Sequence, residues 1–150
     1  MHPCHHAKTM PDAPAIVMAG SGEVVTYAEL EARSNQGARL LRKLGLQAGD
    51  TIAFMLDNTP RFLEICFAAQ RSGLLFTAMS SRLSVAEAEY IVADCGAKVF
   101  LASASLEAVA AELVNRTPGV AKRYSVGGLL PAHESWEHAR EAMPTSRIAD

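Results

Sequence analysis

Short apolar runs alternate with amphipathic segments along most of this chain. Residues 52–56 are continuously apolar, which is typical of a parallel strand covered on both faces. Residues 74–79, 98–101 and 123–126 are further strand candidates. Strands that alternate with helices indicate parallel β-α-β units, so the pattern predicts an α/β fold with a doubly wound, mostly parallel sheet and helices on both faces.

Two helices carry start and stop signals in their sequence. Thr26 with Glu29, and Ser84 with Glu87, have the spacing of a capping box, in which each side chain bonds the backbone of the other. Apolar residues follow each box in steps of three and four until a glycine, Gly45 or Gly96. The pattern therefore predicts helices that begin at residues 26 and 84.

A third helix is predicted to run from about residue 60 to residue 72. Asn58 or Thr59 is expected to cap it, and Pro60 suits the first turn because proline lacks an N–H. Apolar residues surround it almost completely, so it should be buried on more than one side. A fourth helix is expected over residues 105–115.

The two ends of the chain differ from this central region. Residues 1–14 form a polar arm that we expect to be mobile and solvated, and residues 15–126 form the α/β unit, opened by a hairpin whose turn is at residues 20–22. In the tail, residues 127–150, we expect a short helix or ordered loop around Trp136 and no pattern after residue 143.

Charge and cysteine content narrow the class of protein. The 150 residues contain 14 Lys and Arg against 16 Asp and Glu, a net charge of −2, and no basic cluster exceeds two residues, which argues against nucleic-acid partners. No apolar run approaches the roughly 18 residues that a membrane span needs. Three scattered cysteines and a polar N-terminus without a signal sequence predict a reducing, cytoplasmic location.

Candidate chemistry should lie at the carboxyl ends of the strands, where open α/β sheets bind ligands. Asn58 and Arg82 are the polar residues that the topology places best, although Asn58 also fits a helix cap. The phosphate-binding P-loop and the GxSxG, HExxH and CxxC motifs are absent from the sequence. We therefore predict no catalytic, cofactor-binding or metal-binding residue. The strand-end loops are residues 57–59, 80–82, 103–105 and 127–128.

His2, Cys4, His5 and His6 are residue types that bind zinc or copper. They crowd a chain terminus and have no second ligand pair at suitable spacing downstream, so we expect a solvated arm and not a metal site.

The remaining cysteines and histidines also have structural explanations. Cys66 and Cys95 fall on the apolar sides of predicted helices, where burial raises a thiol pKa and makes the group inert. His133 and His138 flank Trp136 in a polar context and are expected at the surface.

Seven segments between residues 11 and 101 have a familiar order and spacing. They resemble the N-terminal region of the adenylate-forming enzymes, and among these a fatty acyl-CoA synthetase. The likeness weakens after about residue 103. The segments are PDAPAIV (11–17), VTYAEL (25–30), RSN (33–35), LQAGD (46–50), NTPRF (58–62), QRSG (70–73) and YIVADCGAK (90–98).

This resemblance implies an activity that the chain does not carry alone. The family activates a carboxylic acid with ATP and Mg²⁺ to an acyl-adenylate and transfers it to coenzyme A, with release of AMP and pyrophosphate. Its phosphate loop and catalytic lysine lie beyond the matched region, so the chain would be an incomplete part of the large N-terminal domain. Many members carry Pro and Asn where this chain has Ala78 and Ser80, although the fatty-acyl branch resembles it there more closely.

Two hypotheses remain from the sequence. In the first, the chain is the N-terminal segment of an acyl-CoA synthetase, a scaffold that is inactive alone and packs against the remainder of its own chain or a homo-oligomer partner. It should then expose an unpaired sheet edge and apolar surface. In the second, it is a free-standing α/β module that binds a small ligand or a protein. A metal-binding or thiol-redox protein is a third, more distant hypothesis.

Overall fold

The computed structural model describes residues 3–148, which contain six α-helices and seven strands. The strands are β1 (Pro14–Val17), β2 (Val24–Thr26), β3 (Thr51–Met55), β4 (Leu75–Met79), β5 (Val99–Ser103), β6 (Lys122–Val126) and β7 (Glu134–Ser135). The helices are α1 (Pro3–Thr9), α2 (Tyr27–Lys43), α3 (Arg61–Arg71), α4 (Val85–Asp94), α5 (Glu107–Arg116) and α6 (Trp136–Glu141), with a 3₁₀ turn at Ala104–Leu106.

The main sheet is parallel throughout its five strands, in the order β4-β3-β5-β6-β7. β1 and β2 form a separate antiparallel hairpin. Helices cover both faces of the main sheet, with α2, α3 and α6 on one side and α4 and α5 on the other. The α/β fold predicted from the alternating pattern is therefore confirmed.

The capping boxes form as the sequence predicts. The Thr26 backbone N–H donates to the Glu29 carboxylate at 2.9 Å, and the Glu29 N–H donates to the Thr26 hydroxyl at 3.2 Å. Ser84 and Glu87 repeat this arrangement at the start of α4. These bonds favour the ionised carboxylates, and they lower the pKa of Glu29 and of Glu87 from its usual value of 4.5.

A glycine allows α2 to approach α6 and α3 closely. A Cβ at Gly37 would lie 2.9 Å from the Cβ of Ala68 and 3.0 Å from Cζ2 of Trp136, inside normal contact distance. The Trp136 indole is fully buried and meets the Tyr124 ring edge-on, with centroids 5.6 Å apart. Gly37 is thus required for packing.

A buried carboxylate links three helices. The side chain of Glu64 on α3 is inaccessible to solvent and lies 3.2 Å from Arg33 of α2, from Arg61 and from Arg140 of α6. Arg61 also pairs with Glu23 at 2.7 Å, and this ion pair connects the β1–β2 hairpin to the Glu64 cluster. Burial lowers the pKa of the Arg140 guanidinium, and the adjacent Glu64 charge partly offsets this effect.

The N-terminal arm differs from the expectation of a solvated segment. Pro3–Thr9 forms α1, which packs on α2, with Pro3 buried and the His6 ring 4.9 Å from the Tyr27 ring. His2 lies outside the described residues. The arm is ordered by contacts with α2 that no local pattern predicts.

The tail also packs against α2, including residues after 143, which have no sequence pattern. The Gln36 side chain donates to the Met143 carbonyl at 2.9 Å, and Arg39 donates to the carbonyl and hydroxyl oxygens of Ser146. Ile148 is only 4% exposed and joins the core beneath α2.

α3 contacts both α2 and β4, in agreement with the expected burial on more than one side. Leu63 nevertheless remains 39% exposed.

Among residues 3–148, no helix is long and apolar enough to cross a membrane.

Gly37→Ala should destabilise the protein by a net of about 1–2 kcal/mol, because overpacking outweighs the better helix propensity of alanine. The emission of Trp136, the single tryptophan, should shift as the indole moves. Urea unfolding followed by fluorescence measures both effects. Gly20→Ala is the control, since nothing lies within 4 Å of its added Cβ. Equal stability of the two variants would contradict the close-packing assignment.

Glu64→Leu should cost about 3–5 kcal/mol of unfolding free energy, because it removes the carboxylate that three arginines share and leaves the buried Arg140 guanidinium with only the exposed Glu141 as a counter-charge. Glu112→Gln is the matched control: Glu112 is 56% exposed and pairs only with Arg116 among the described ion pairs, so about 1 kcal/mol or less is expected. Chemical denaturation compares the two. A Glu64 variant as stable as the Glu112 variant would show that the buried cluster contributes little.

The capping carboxylates Glu29 and Glu87 should make the stability of the fold depend on pH in the acid range. Their pKa values are lower in the folded chain than in the unfolded chain, so the unfolded chain binds more protons and folding weakens as pH falls below about 4.5. The stability that these two carboxylates contribute is lost as pH falls through their lowered pKa values in the folded chain. In urea titrations between pH 3 and pH 7, the double variant Glu29→Gln/Glu87→Gln should show a shallower acid loss than the parent. An unchanged slope would argue against this linkage.

Candidate functional site

The order in which strands are added to the sheet reverses between β3 and β5. The connection after β3 runs through α3 on one face to β4, and the connection after β5 runs through α5 on the other face to β6. The loops that follow β3 and β5 therefore lead to opposite faces of the sheet, and a crevice opens between them.

This strand-end crevice has a volume of about 260 Å³. It collects three of the four loops that the sequence places at strand ends. Its walls are Asp57, Asn58, Thr59, Ser103, Ala104, Ser105, Val126 and Gly127.

Hydrogen bonds fix the two walls of the crevice to each other. The backbone N–H of Asp57 donates to the hydroxyl of Ser103 at 2.9 Å, and the hydroxyl of Ser105 donates to the Asp57 carboxylate. Ser103 is only 5% exposed, whereas Asp57 and Ser105 reach solvent. The loops after β3 and β5 thus form one rigid rim.

Two helices begin at this rim without a side-chain cap at their N-cap residues. Pro60 and Leu106, the residues before α3 and α5, make no such bond, whereas α2 and α4 start elsewhere with complete capping boxes. The Thr59 hydroxyl accepts one long hydrogen bond, from the Arg61 N–H at 3.4 Å. The crevice therefore offers hydroxyl, amide and backbone N–H groups with the carboxylate of Asp57, and its walls contain no lysine or arginine.

Of the two polar residues that the topology favours, Asn58 lies at the crevice and Arg82 does not. Asn58 does not cap α3 and instead lines the crevice, because Pro60 occupies the position before the helix. Arg82 is exposed after β4, an edge strand, and its loop is not part of the crevice walls.

Glu137 is a residue near the crevice that the sequence does not reveal. Its carboxylate accepts a hydrogen bond from the Gly127 N–H at 3.0 Å. The two residues are ten positions apart and joined by an irregular turn, so no periodic pattern links them.

A second groove, of about 420 Å³, lies at the amino end of β6 beside His133 and Arg123. The Nδ1–H of His133 donates to the Pro131 carbonyl at 2.8 Å. Desolvation by burial, with a smaller contribution from the Arg123 charge, lowers the His133 pKa. His133 is partly buried at the wall of this groove, and His138 is exposed.

Cys66 on α3 and Cys95 at the end of α4 are both partly buried. Burial raises the pKa of the Cys66 thiol to about 11, in the predicted direction. The Cys95 thiol donates to the Val92 carbonyl at 3.6 Å at the end of α4. Among residues 3–148, no three His, Cys, Asp or Glu side chains are grouped in a way that could hold a metal ion, and Cys4, His5 and His6 follow one another along α1.

Known proteins resemble this chain in sequence and in fold. The feruloyl-CoA synthase of Amycolatopsis sp is 36% identical over 99 residues, which cover 66% of this chain and 20% of that protein. The long-chain-fatty-acid–CoA ligase FadD13 of Mycobacterium tuberculosis is 30% identical over 95 residues, 63% of this chain and 19% of that protein. The chain thus spans about a fifth of the length of these curated relatives.

A solved structure shows the same fold. The anthranilate CoA ligase AuaEII superposes with a TM-score of 0.88 at 18% identity, over 99% of this chain and 28% of that one. The sequence model of the family described as "AMP-binding enzyme" matches residues 4–147. Since this match takes in nearly every described residue, the chain belongs to the AMP-binding enzyme family.

Proposed function

We propose that this chain is a segment of an ATP-dependent acyl-CoA synthetase that acts in the cytoplasm. The complete enzyme would join a carboxylic acid to coenzyme A through an acyl-adenylate, with release of AMP and pyrophosphate. The observation that carries this proposal is the family match over residues 4–147, together with relatives that are named as CoA synthases and ligases. One of these relatives is named for fatty acids, which supports a fatty acid as the substrate.

Within such an enzyme, we propose that this segment is a scaffold. A triphosphate carries several negative charges, and catalysis of its reactions relies on cations and oriented donors. The strand-end crevice presents neutral hydroxyl and amide groups with one carboxylate, Asp57, and no lysine or arginine in its walls. Lysine, magnesium and the coenzyme A site would then come from polypeptide beyond this span.

The rigid rim suits a supporting role. The bond from the Asp57 N–H to Ser103 holds the ends of β3 and β5 in register at 2.9 Å. A neighbouring segment that docks on this rim would meet fixed polar groups and would lose little free energy in ordering them.

The scaffold role predicts that the chain alone neither binds nor consumes ATP. Calorimetric titration with Mg²⁺ and ATP should give no saturable heat at millimolar nucleotide, and AMP release with coenzyme A and a fatty acid should equal the protein-free blank. The long-chain-fatty-acid–CoA ligase FadD13 is the positive control. Saturable nucleotide binding or acid-dependent AMP release by the chain alone would overturn the scaffold assignment.

A domain swap tests the family activity separately. The matched stretch of the Amycolatopsis enzyme is replaced by the corresponding residues of this chain, and ferulate-dependent AMP release is measured. Activity should remain well above that of the same swap carrying Glu64→Leu, which destabilises the inserted segment. A folded swap without activity would count against the proposed role.

A further inference from the structure

The two edges of the main sheet differ in how well they are protected. The β7 edge is only two residues long and carries Glu134, which pairs with Lys122. The β4 edge is five residues long and contains neither a charged residue nor a proline. Short length and charge are common ways to block pairing with another chain, so β7 is protected and β4 is open.

Side chains on both faces of β4 are exposed. Leu75 is 61% exposed and Phe76 is 43% exposed, although the two point to opposite faces of the sheet. The open edge therefore presents apolar side chains on both of its faces.

The register identifies the free backbone groups. The Leu75 N–H donates to the Asp50 carbonyl at 2.9 Å, so Leu75 faces β3. Backbone groups alternate in direction along a strand, and Thr77 and Met79 therefore also face β3. Phe76 and Ala78 direct their N–H and carbonyl groups away from the sheet.

These free groups are complementary to a second copy of the same strand. When two β4 strands run antiparallel about Thr77, Phe76 of each copy lies opposite Ala78 of the other, and the two residues exchange both hydrogen bonds. A large side chain then meets a small one, and no like charges face each other. Leu75 lies opposite Met79 on the other face.

We propose that the β4 edge is a self-association surface, through which two copies of this chain join their sheets as an antiparallel pair centred on Thr77. The dimer has two-fold symmetry and continues one five-stranded sheet into the other. This interface does not depend on the proposed synthetase activity, because it uses neither the strand-end crevice nor any ligand.

Sedimentation of the chain across a range of concentrations tests the dimer. Ala78→Pro removes one outward N–H from each copy, and an edge strand tolerates proline at such a position. It should weaken association about tenfold or more. Leu75→Lys, which places a charge on the edge, should weaken it too. The control Leu129→Lys changes an 81% exposed residue that lies outside β4 and should leave association unchanged.

Cysteine cross-linking tests the register. In the proposed pair the two Thr77 Cα atoms lie about 4.5 Å apart, within the range of about 4.4–6.8 Å that a disulfide spans. Thr77→Cys should therefore give a covalent dimer under mild oxidation. Leu75→Cys should not, since the two copies of that residue lie about 13 Å apart along the strand. The parent chain controls for its own cysteines.

The outcomes separate this interface from other forms of association. A dimer that Ala78→Pro weakens and Thr77→Cys traps supports the proposal. A chain that remains monomeric at every concentration overturns it. Equal weakening by Leu129→Lys, or equal cross-linking at Leu75 and Thr77, also overturns it, because association is then a non-specific effect of apolar surface.

Discussion

The buried carboxylate of Glu64 fixes how the helices on one face of the main sheet are positioned relative to one another. Glu64 is surrounded by guanidinium groups from separate parts of the chain, and each of these groups compensates a charge that would otherwise be buried alone. Apolar packing has little directional preference, whereas these contacts have fixed distances. The positions of α2, α3 and α6 relative to one another therefore depend on this cluster, and the close contact between Gly37 and Trp136 can form only when they are correct.

Local sequence predicts those parts of the fold whose partners are close in the chain. Both ends of α2 and α4 could be predicted because the caps and stop glycines lie within a few residues of the helix. The start of α3 could be predicted to within one residue because Pro60 marks it, but the choice between a cap and a crevice position for Asn58 could not. The order of the arm and tail depends on distant contacts, such as that between Gln36 and Met143, which are 107 positions apart.

The same distinction applies to the candidate site. Its three loops follow from the rule that parallel strands end at one edge of a sheet, which needs only the succession of strands. The exclusion of Arg82 depends on the strand order, which the sequence does not state. The Glu64 cluster could not be predicted either, since Arg33, Arg61 and Arg140 look like residues of solvated helix faces until the three helices are assembled.

The central position of β5 has a consequence for synthesis on the ribosome. β3 and β4 are translated first and can pair with each other, but the other side of β3 stays open until residues 99–103 have left the exit tunnel. Until then, the nascent chain presents two unpaired strand edges and an uncovered apolar face. Chaperone capture during this interval would protect the chain when its exposed apolar surface is largest.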